Sequence, residues 1–229
     1  MIAVISDIHG CYYTLLELIK KIKQKYSEIT IYSVGDLVDR GNYNFEVIEL
    51  IRSKNIKFTK GNHDVMFFYF MTEPSNPLGQ PWLYNDCEKT IKSYQEHGNQ
   101  FSEHLEIIEQ APLFYNTDDC FISHAGISNN YRNTINEETV GDEQKLESIL
   151  LPDLGTEHSI IWCRGELIDI GKLQVVGHTA KFDVRINKEN NAAYIDTAVY
   201  VGNKLTAVIV DENNILDIIS VPTKRKDIE

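Results

Sequence analysis

The segment IYSVGDLVDRG, residues 31–41, joins an apolar, β-branched run to a tight group of glycine, aspartate and arginine. Two similar transitions flank it. The run Ile2–Ile5 leads into Asp7-Ile8-His9-Gly10, and Ile56–Thr59 leads into Gly61-Asn62-His63-Asp64. Helical periodicity separates these runs, so the order strand–helix–strand–helix–strand predicts parallel strands joined by right-handed crossovers. Ligands gather at the carboxyl ends of such strands, which is where all three polar groups fall.

The rest of the chain mixes helical and strand-like patterns. Apolar spacing predicts helices at Cys11–Tyr26, Asn44–Ser53, Met66–Met71, Glu88–Tyr94, Ser102–Gln110 and Asp142–Leu150. Further strands are expected at Ile29–Val34, Phe114–Ser123, Ile160–Trp162, Leu173–Val176, Val184–Asn187, Ala193–Asp196, Leu205–Val210 and Ile215–Val221. Gly202-Asn203 indicates a hairpin, and Thr223–Glu229 is expected to be a frayed tail. No repeat or linker divides the chain, so residues 1–229 are expected to form one domain with a helical insertion at about 74–110.

Composition narrows the possible partners. The 229 residues include 34 acidic and 22 basic side chains, a net charge of −12. This balance argues against nucleic acid as the main partner, yet a small phosphate ester needs only one or two arginines. No apolar stretch approaches the ~18 residues of a membrane helix, and no signal peptide is visible. The four widely spaced cysteines are therefore expected to be reduced thiols in a cytoplasmic protein that has no membrane partner.

The polar groups after the strands, with two later histidines in His124-Ala125-Gly126 and Gly177-His178-Thr179, indicate a metal site. Carboxylate, imidazole and amide ligands without cysteine suit Mn²⁺, Fe²⁺ or Zn²⁺. The spacing Asp7-x-His9 would place both side chains on one side of an extended segment, and Asp36 could bridge two ions. Each fragment alone is also compatible with a turn or with a structural histidine. Only the joint pattern favours metal binding.

That joint pattern resembles the calcineurin-like metallophosphoesterases, specifically their phosphoprotein phosphatase branch. The branch carries Gly-Asp-x-His-Gly, Gly-Asp-x-x-Asp-Arg-Gly, Gly-Asn-His-Asp/Glu, His-Ala-Gly and Gly-His-Thr in this order. The resemblance runs from Ile2 to Ala207, and Arg40 after Asp39 is the mark of the branch. It implies an α/β fold of the α/β/β/α sandwich type, with two mixed β-sheets flanked by helices and a helical insertion near the site.

The resemblance also implies roles for individual residues. Two divalent ions, Mn²⁺ or else Fe or Zn, would be held at one position by Asp7, His9 and Asp36, and at the other by Asp36, Asn62, His124 and His178. His63 would be the general acid, oriented by Asp39, and phosphate would be bound by Arg40, Arg164 and Asn62. Small bacterial members show Trp-x-x-Asn-Gly-Gly, which Trp82–Cys87 resembles. Asn85 could therefore contact substrate, although a role in its own turn is equally open.

The chain departs from the family pattern at a few positions. Ser6 stands where the family usually has glycine, Asp86-Cys87 replaces a glycine pair, and Ala198 replaces the glycine of an Asp-Thr-Gly turn. None of these positions is a proposed metal ligand. The departures therefore leave the chemistry in place and alter the substrate entrance.

Three functions compete at this point. The first is a serine/threonine protein phosphatase-like enzyme that hydrolyses phosphomonoesters of proteins or small molecules by attack of a metal-bound hydroxide, with His63 as acid. The second is a symmetrical bis(5'-nucleosyl)-tetraphosphate hydrolase, which uses the same machinery on a pyrophosphate bond. The third is a non-catalytic metal-binding scaffold, which would need neither a proton donor such as His63 nor the arginines. The sequence ranks them in this order and leaves the oligomeric state open.

Overall fold

The computed structural model describes residues 1–95, 97 and 100–229, so Glu96, Gly98 and Asn99 of the expected insertion lie outside the described residues. The helices are α1 (Tyr12–Lys25), α2 (Asn44–Ser53), α3 (Asn62–Thr72), α4 (Glu88–Gln95), α5 (Phe101–Gln110), α6 (Glu137–Gly141), α7 (Glu143–Leu150) and α8 (Arg225–Ile228). The strands are β1 (Ile2–Ile5), β2 (Thr30–Ser33), β3 (Lys57–Phe58), β4 (Phe114–Asn116), β5 (Phe121–Ser123), β6 (Gln174–Val176), β7 (Arg185–Asn187), β8 (Ala192–Tyr194), β9 (Lys204–Asp211) and β10 (Asn214–Pro222).

The first sheet has the order β10-β9-β1-β2-β3. The first three strands of the chain are parallel to one another, whereas β9 and β10 join the sheet antiparallel. The expected parallel order of β1, β2 and β3 is therefore confirmed. Their carboxyl ends lie at one edge of the sheet, where the polar groups after each strand converge.

The second sheet has the order β4-β5-β6-β8-β7 and also mixes parallel and antiparallel pairs. Alternation along β1 shows how the layers form, because successive side chains of a strand point to opposite faces. Ile2 and Val4 pack against Ile122 and Val175 of the second sheet. Ala3 and Ile5 pack instead with the cluster that contains α1 and α2. The two mixed sheets therefore stack face to face with helices outside, and the predicted fold class is confirmed.

Helices cover both outer faces. Leu15, Leu18 and Ile22 of α1 are fully buried against the first sheet. Leu146 and Leu150 of α7 are fully buried in the cluster that contains Phe121 of the second sheet. Among the described residues, no helix combines the length and the apolar character that crossing a membrane would require.

Two expected strands are wrong. Phe114–Ser123 is not continuous, because it forms the antiparallel pair β4 and β5 around a turn in which Thr117 bonds to the backbone of Cys120. Ile160–Trp162 is a turn, since the backbone N–H of Trp162 donates to the Ser159 carbonyl at 3.1 Å. Ile160 and Ile161 are nevertheless fully buried, so their apolar character reflects burial in a turn.

Two predictions near the C-terminus also fail. The hairpin between β9 and β10 turns at Glu212-Asn213, both with positive φ (45° and 64°), and not at Gly202-Asn203. The expected frayed tail is ordered, because Asp227 is fully buried. Its carboxylate accepts hydrogen bonds from the backbone N–H groups of Tyr13 and Thr14 at 3.0 and 2.8 Å, and so caps the N-terminus of α1.

Candidate metal centre

Tight turns bring the polar groups together after the strands. Left-handed backbone with positive φ occurs at His9 (45°), Asp36 (49°), Asp39 (72°), Arg40 (69°) and His178 (62°). Such backbone is costly for residues other than glycine and clusters at functional sites. The expectation that Asp7 and His9 share an extended segment is wrong, because the chain turns at His9.

Small residues allow the turns to close on the carboxylates. A Cβ atom on Gly61 would lie 2.0 Å from Asp36 Oδ1, and one on Gly177 would lie 1.9 Å from Asp7 Oδ1. Neither distance is sterically possible, so both positions require glycine because the backbone approaches a carboxylate. Gly61 and Gly177 therefore leave the space that the carboxylates of Asp36 and Asp7 occupy.

Asp36 lies in the middle of the cluster. Its Oδ2 atom is 3.5 Å from His9 Nε2 and 3.4 Å from His124 Nε2, and its Oδ1 accepts from the backbone N–H of His63 at 2.9 Å. Two buried groups have potential ligand atoms within 4.8 Å of one another, namely His9, Asp36 and His63, and Asp7, Asp36 and His124. Asp36 belongs to both groups, which is the position that a shared ligand would occupy.

The protonation of His124 makes this cluster suitable for a cation. Its Nδ1 lies 3.0 Å from the Val34 carbonyl and must donate to it. Burial lowers the pKa of His124, so the ring is neutral and Nε2 carries a lone pair. That lone pair faces the amide oxygen Oδ1 of Asn62 at 2.9 Å, so two acceptors oppose each other. A divalent ion satisfies both, and a backbone carbonyl on the other ring nitrogen is the usual support of a metal-binding histidine.

His178 and Asp7 complete the centre. His178 Nδ1 lies 2.9 Å from Asn62 Oδ1 and 3.2 Å from His124 Nε2, and its backbone N–H donates to Asp7 Oδ2 at 3.0 Å. Burial, together with the nearby Asp196 and Asp36 carboxylates, raises the pKa of Asp7 well above its usual value. Bound cations would stabilise the ionised form of Asp7 and so oppose this rise in its pKa. The six residues expected to bind metal therefore lie together, and their donor set fits hard or borderline divalent ions.

His63 and Asp39 form a buried pair next to Asp36. His63 Nδ1 lies 2.7 Å from Asp39 Oδ2, and both side chains are buried. Asp39 also accepts hydrogen bonds from Trp82 Nε1 at 3.0 Å and from the Thr90 hydroxyl at 2.6 Å. Burial raises the pKa of Asp39, while the bonds from these partners oppose the rise. The carboxylate is thus fixed, so it can orient the His63 ring.

Arg40 lies beside the centre. Its guanidinium is 2.6 Å from His9 Nε2 and lies over the Tyr200 ring at 4.2 Å. Its Nε is 3.8 Å from the Asp86 carboxylate, and its backbone N–H donates to the Asp86 carbonyl at 3.2 Å. A cation held on an aromatic face next to a metal ligand is well placed to receive an anionic oxygen.

The other two expected substrate contacts lie farther out. Arg164 is exposed, and its guanidinium reaches the His178 carbonyl at 3.5 Å. The Asn85 amide donates to the Pro81 carbonyl at 2.7 Å, within its own turn. Arg164 therefore adjoins the centre, whereas the contact made by Asn85 belongs to the turn and gives no direction toward substrate.

Sequence reasoning did not assign several supporting residues. Trp82 and Thr90 donate hydrogen bonds to Asp39, and the Tyr200 ring lies against the Arg40 guanidinium. The carboxylate of Asp196 helps to raise the pKa of Asp7. Asp64 accepts from the backbone N–H groups of Leu37 and Gly61 at 2.9 and 3.0 Å, which joins the second and third motifs. Trp82 was part of the family resemblance, and that signal could have revealed its role.

A sandwich of two mixed sheets thus carries this buried cluster at the ends of its strands. The chain belongs to the calcineurin-like phosphoesterase family, whose model matches residues 1–201. This family needs divalent metal ions.

Relatives in the family carry two kinds of name. The asymmetrical bis(5'-nucleosyl)-tetraphosphatase PrpE of Halalkalibacterium halodurans is 28% identical over 97% of this chain and 94% of that protein. Serine/threonine-protein phosphatase 1 of Salmonella typhimurium is 23% identical, over 89% of this chain and 88% of the relative. A crystal structure provisionally assigned as a diadenosine tetraphosphatase aligns with a TM-score of 0.64 at 20% identity, over 97% of this chain and 93% of that one, and supports the fold alone.

Proposed function

We propose that this protein is a dinuclear-metal-dependent hydrolase whose preferred substrates are dinucleoside tetraphosphates. The hydrolytic chemistry rests on one observation, the buried His63–Asp39 pair beside Asp36, whose carboxylate lies 3.5 Å from His9 and 3.4 Å from His124. A scaffold that only bound metal would not need this pair. The preference for dinucleotides rests on the full-length similarity to bis(5'-nucleosyl)-tetraphosphatases from several bacteria.

Metal ligands and catalytic groups have separate tasks. Asp7, His9, Asp36, Asn62, His124 and His178 would hold the ions, which when bound supply an activated water and positive charge for the phosphate oxygens. Arg40 and Arg164 add two more cations, which bind and orient the transferred phosphoryl group. His63 gives a proton to the leaving oxygen, and Asp39 stabilises the charged ring before the transfer.

Turnover of three substrates tests the substrate class. Mn²⁺-supplemented protein is offered diadenosine tetraphosphate, a phosphoserine peptide and p-nitrophenyl phosphate, and kcat/KM is compared. We expect the dinucleotide to give the highest value. A higher value for the phosphopeptide would overturn this preference and restore the order that the sequence alone indicated.

Chromatography of the nucleotide products tests the position of cleavage. Asymmetrical cleavage of diadenosine tetraphosphate gives ATP and AMP, whereas symmetrical cleavage gives ADP alone. We expect ATP and AMP, because the relatives with tetraphosphatase names are called asymmetrical. ADP as the main product would support the symmetrical reaction.

Phosphoprotein hydrolysis is the second candidate. It is favoured by the similarity to serine/threonine-protein phosphatase 1, and by the exposure of Arg164 at the edge of the centre. An exposed arginine can reach a phosphoryl group that a large partner presents. The phosphopeptide in the same panel tests this candidate directly.

A further inference from the structure

A surface cavity of about 590 Å³ opens beside the metal centre. Its lining includes Trp162 and Arg164 as well as Asn130, Glu157 and His158. This volume is larger than a phosphoryl group requires and falls within the ~300–1,000 Å³ of small-molecule sites. The cavity therefore has room for a part of the substrate beyond the phosphate that is cleaved.

Two residues of the cavity lining contact His178 of the centre. The Trp162 ring meets the His178 ring edge-on, with centroids 5.8 Å apart, and Arg164 reaches the His178 carbonyl at 3.5 Å. A substrate whose phosphate lies between Arg40 and Arg164 would extend from Arg164 into this space. Because Arg164 lines the cavity and is expected to bind phosphate, the cavity lies next to the expected position of the phosphate chain.

The walls are held in place by the backbone. The N–H of Asn129 donates to the Glu166 carbonyl at 2.8 Å, and Ser128 pairs with Leu167 in a β-bridge. The N–H groups of Trp162 and Cys163 both donate to the Ser159 carbonyl, at 3.1 and 3.0 Å. The backbone of these lining segments is thus held by hydrogen bonds within the chain.

The lining offers the groups that a nucleoside uses. Trp162 and His158 present flat rings on which a base can stack. The exposed carboxylate of Glu157 and amide of Asn130 can bond to ribose hydroxyls, as acidic residues do in dinucleotide sites. A phosphopeptide segment would use such rings less well, and it has no diol for the carboxylate.

We propose that this cavity binds one nucleoside of a dinucleoside polyphosphate, with Glu157 and His158 as specificity-determining residues. This inference rests on the proposed function, because it takes the phosphate chain to lie at Arg164. Trp162 contacts the proposed metal ligand His178, so a substitution there would disturb both the cavity and the metal centre. Glu157 and His158 are separate from the centre and can be tested alone.

The first test measures substrate selectivity of Glu157→Ala and His158→Ala. The readout is the ratio of kcat/KM for diadenosine tetraphosphate to kcat/KM for p-nitrophenyl phosphate, which has no nucleoside. We expect each variant to lower this ratio about tenfold, through KM more than through kcat. Glu28→Ala is the matched control, because Glu28 lines a surface cavity between α1 and β2, and this variant should keep the wild-type ratio.

The second test measures binding and does not depend on cleavage of the dinucleotide. AMP and inorganic phosphate are compared as inhibitors of p-nitrophenyl phosphate turnover, and calorimetry measures AMP binding to the Mn²⁺-loaded protein. We expect both variants to weaken AMP about tenfold more than phosphate.

Each contrary outcome has a defined meaning. An unchanged selectivity ratio together with equal weakening of AMP and phosphate would overturn the nucleoside site. The phosphoserine peptide is assayed with the same variants, and a lower ratio of its kcat/KM to that of p-nitrophenyl phosphate, with the dinucleotide ratio unchanged, would overturn the nucleoside site in favour of a peptide site. If wild-type protein cleaves p-nitrophenyl phosphate but not the dinucleotide, the proposed substrate preference fails, while the AMP comparison still decides whether the cavity binds a nucleoside.

Discussion

The metal centre and its entrance differ in burial and in agreement with the family pattern. Asp7, Asp36 and Asn62 are at most 2% exposed, whereas the side chain of Asp86, next to Arg40, is 76% exposed. Each ligand is held by several neighbours, so a change there disturbs more than one contact. Asp86 replaces a family glycine and is largely exposed, so it is less restrained. We therefore expect the buried part to determine the reaction and the exposed part to determine the choice of substrate.

The largest effect is expected from Asp36→Asn, which would remove the carboxylate expected to be shared by the two metal ions. Changes in residues that only support a metal ligand cost ~10–100-fold in metal affinity or activity, so loss of a shared ligand should cost more. Elemental analysis should show reduced metal content, and kcat/KM should fall by more than about 100-fold. The exposed residue Asp183 gives the control Asp183→Asn. Full activity with both ions retained would show that Asp36 is not a shared ligand.

His63→Asn should remove the acid while the metal ions stay bound. The kcat for a phosphoserine peptide should fall about 10²–10⁴-fold, because an alkoxide leaves poorly without a proton. The fall for p-nitrophenyl phosphate should be smaller, since nitrophenolate leaves readily by itself. Steady-state kinetics with unchanged metal content would check this result. Equal losses for both substrates would assign His63 to positioning.

Thr90→Val tests whether the insertion supports the buried centre. It would remove the 2.6 Å hydrogen bond to Asp39 Oδ1 and the acceptor for the Asp39 backbone N–H at 3.0 Å. One buried hydrogen bond contributes about 1 kcal/mol, so we expect kcat to fall about 3- to 10-fold, and the pH profile of kcat to shift. Thr90→Ser keeps the hydroxyl and should retain activity. If both variants behave alike, the hydroxyl is not needed.

The smallest effect is expected at the entrance, from Asp86→Gly. The Asp86 carboxylate lies 3.8 Å from Arg40 Nε, where it competes with a phosphate, and φ at Asp86 is 61°, which glycine adopts without strain. Exposed ion pairs are weak, so KM for p-nitrophenyl phosphate should fall only about twofold. Asp86→Asn separates charge from strain. The difference should shrink at high salt, and a salt-independent change would contradict the electrostatic explanation.

The sequence was most informative where the chemistry is local. The predicted bounds of α2 and β1 are confirmed, because periodicity and flanking turn residues lie in one short window. The six expected ligand residues could be picked out because each follows an apolar strand, and the structure brings them together. Helix α3 begins at Asn62 and not at Met66, because Asp64 accepts from the Gly61 N–H and stabilises the first turn. Although this hydrogen bond joins neighbouring residues, the helix start was missed, because the Asn-His-Asp pattern is also compatible with a turn.

Contacts between distant residues could not be predicted in the same way. Trp82 reaches Asp39 across 43 positions, and Tyr200 lies under Arg40. No spacing rule links such pairs, since they meet only when the insertion and the C-terminal segment pack on the first sheet. The same reason explains the tail, whose Asp227 caps a helix 213 positions away.

The position of β1 has a consequence for biosynthesis. This strand, which leads to Asp7, lies between β2 and β9, and β9 spans residues 204–211. A ribosome therefore makes most of the chain before the first strand gains its second neighbour, and until then one edge of β1 stays unpaired. The N-terminus of helix α1 is capped later still, because Asp227 is synthesised after β9. Completion of the first sheet around β1 is thus a late event, later than the synthesis of all six expected metal ligands.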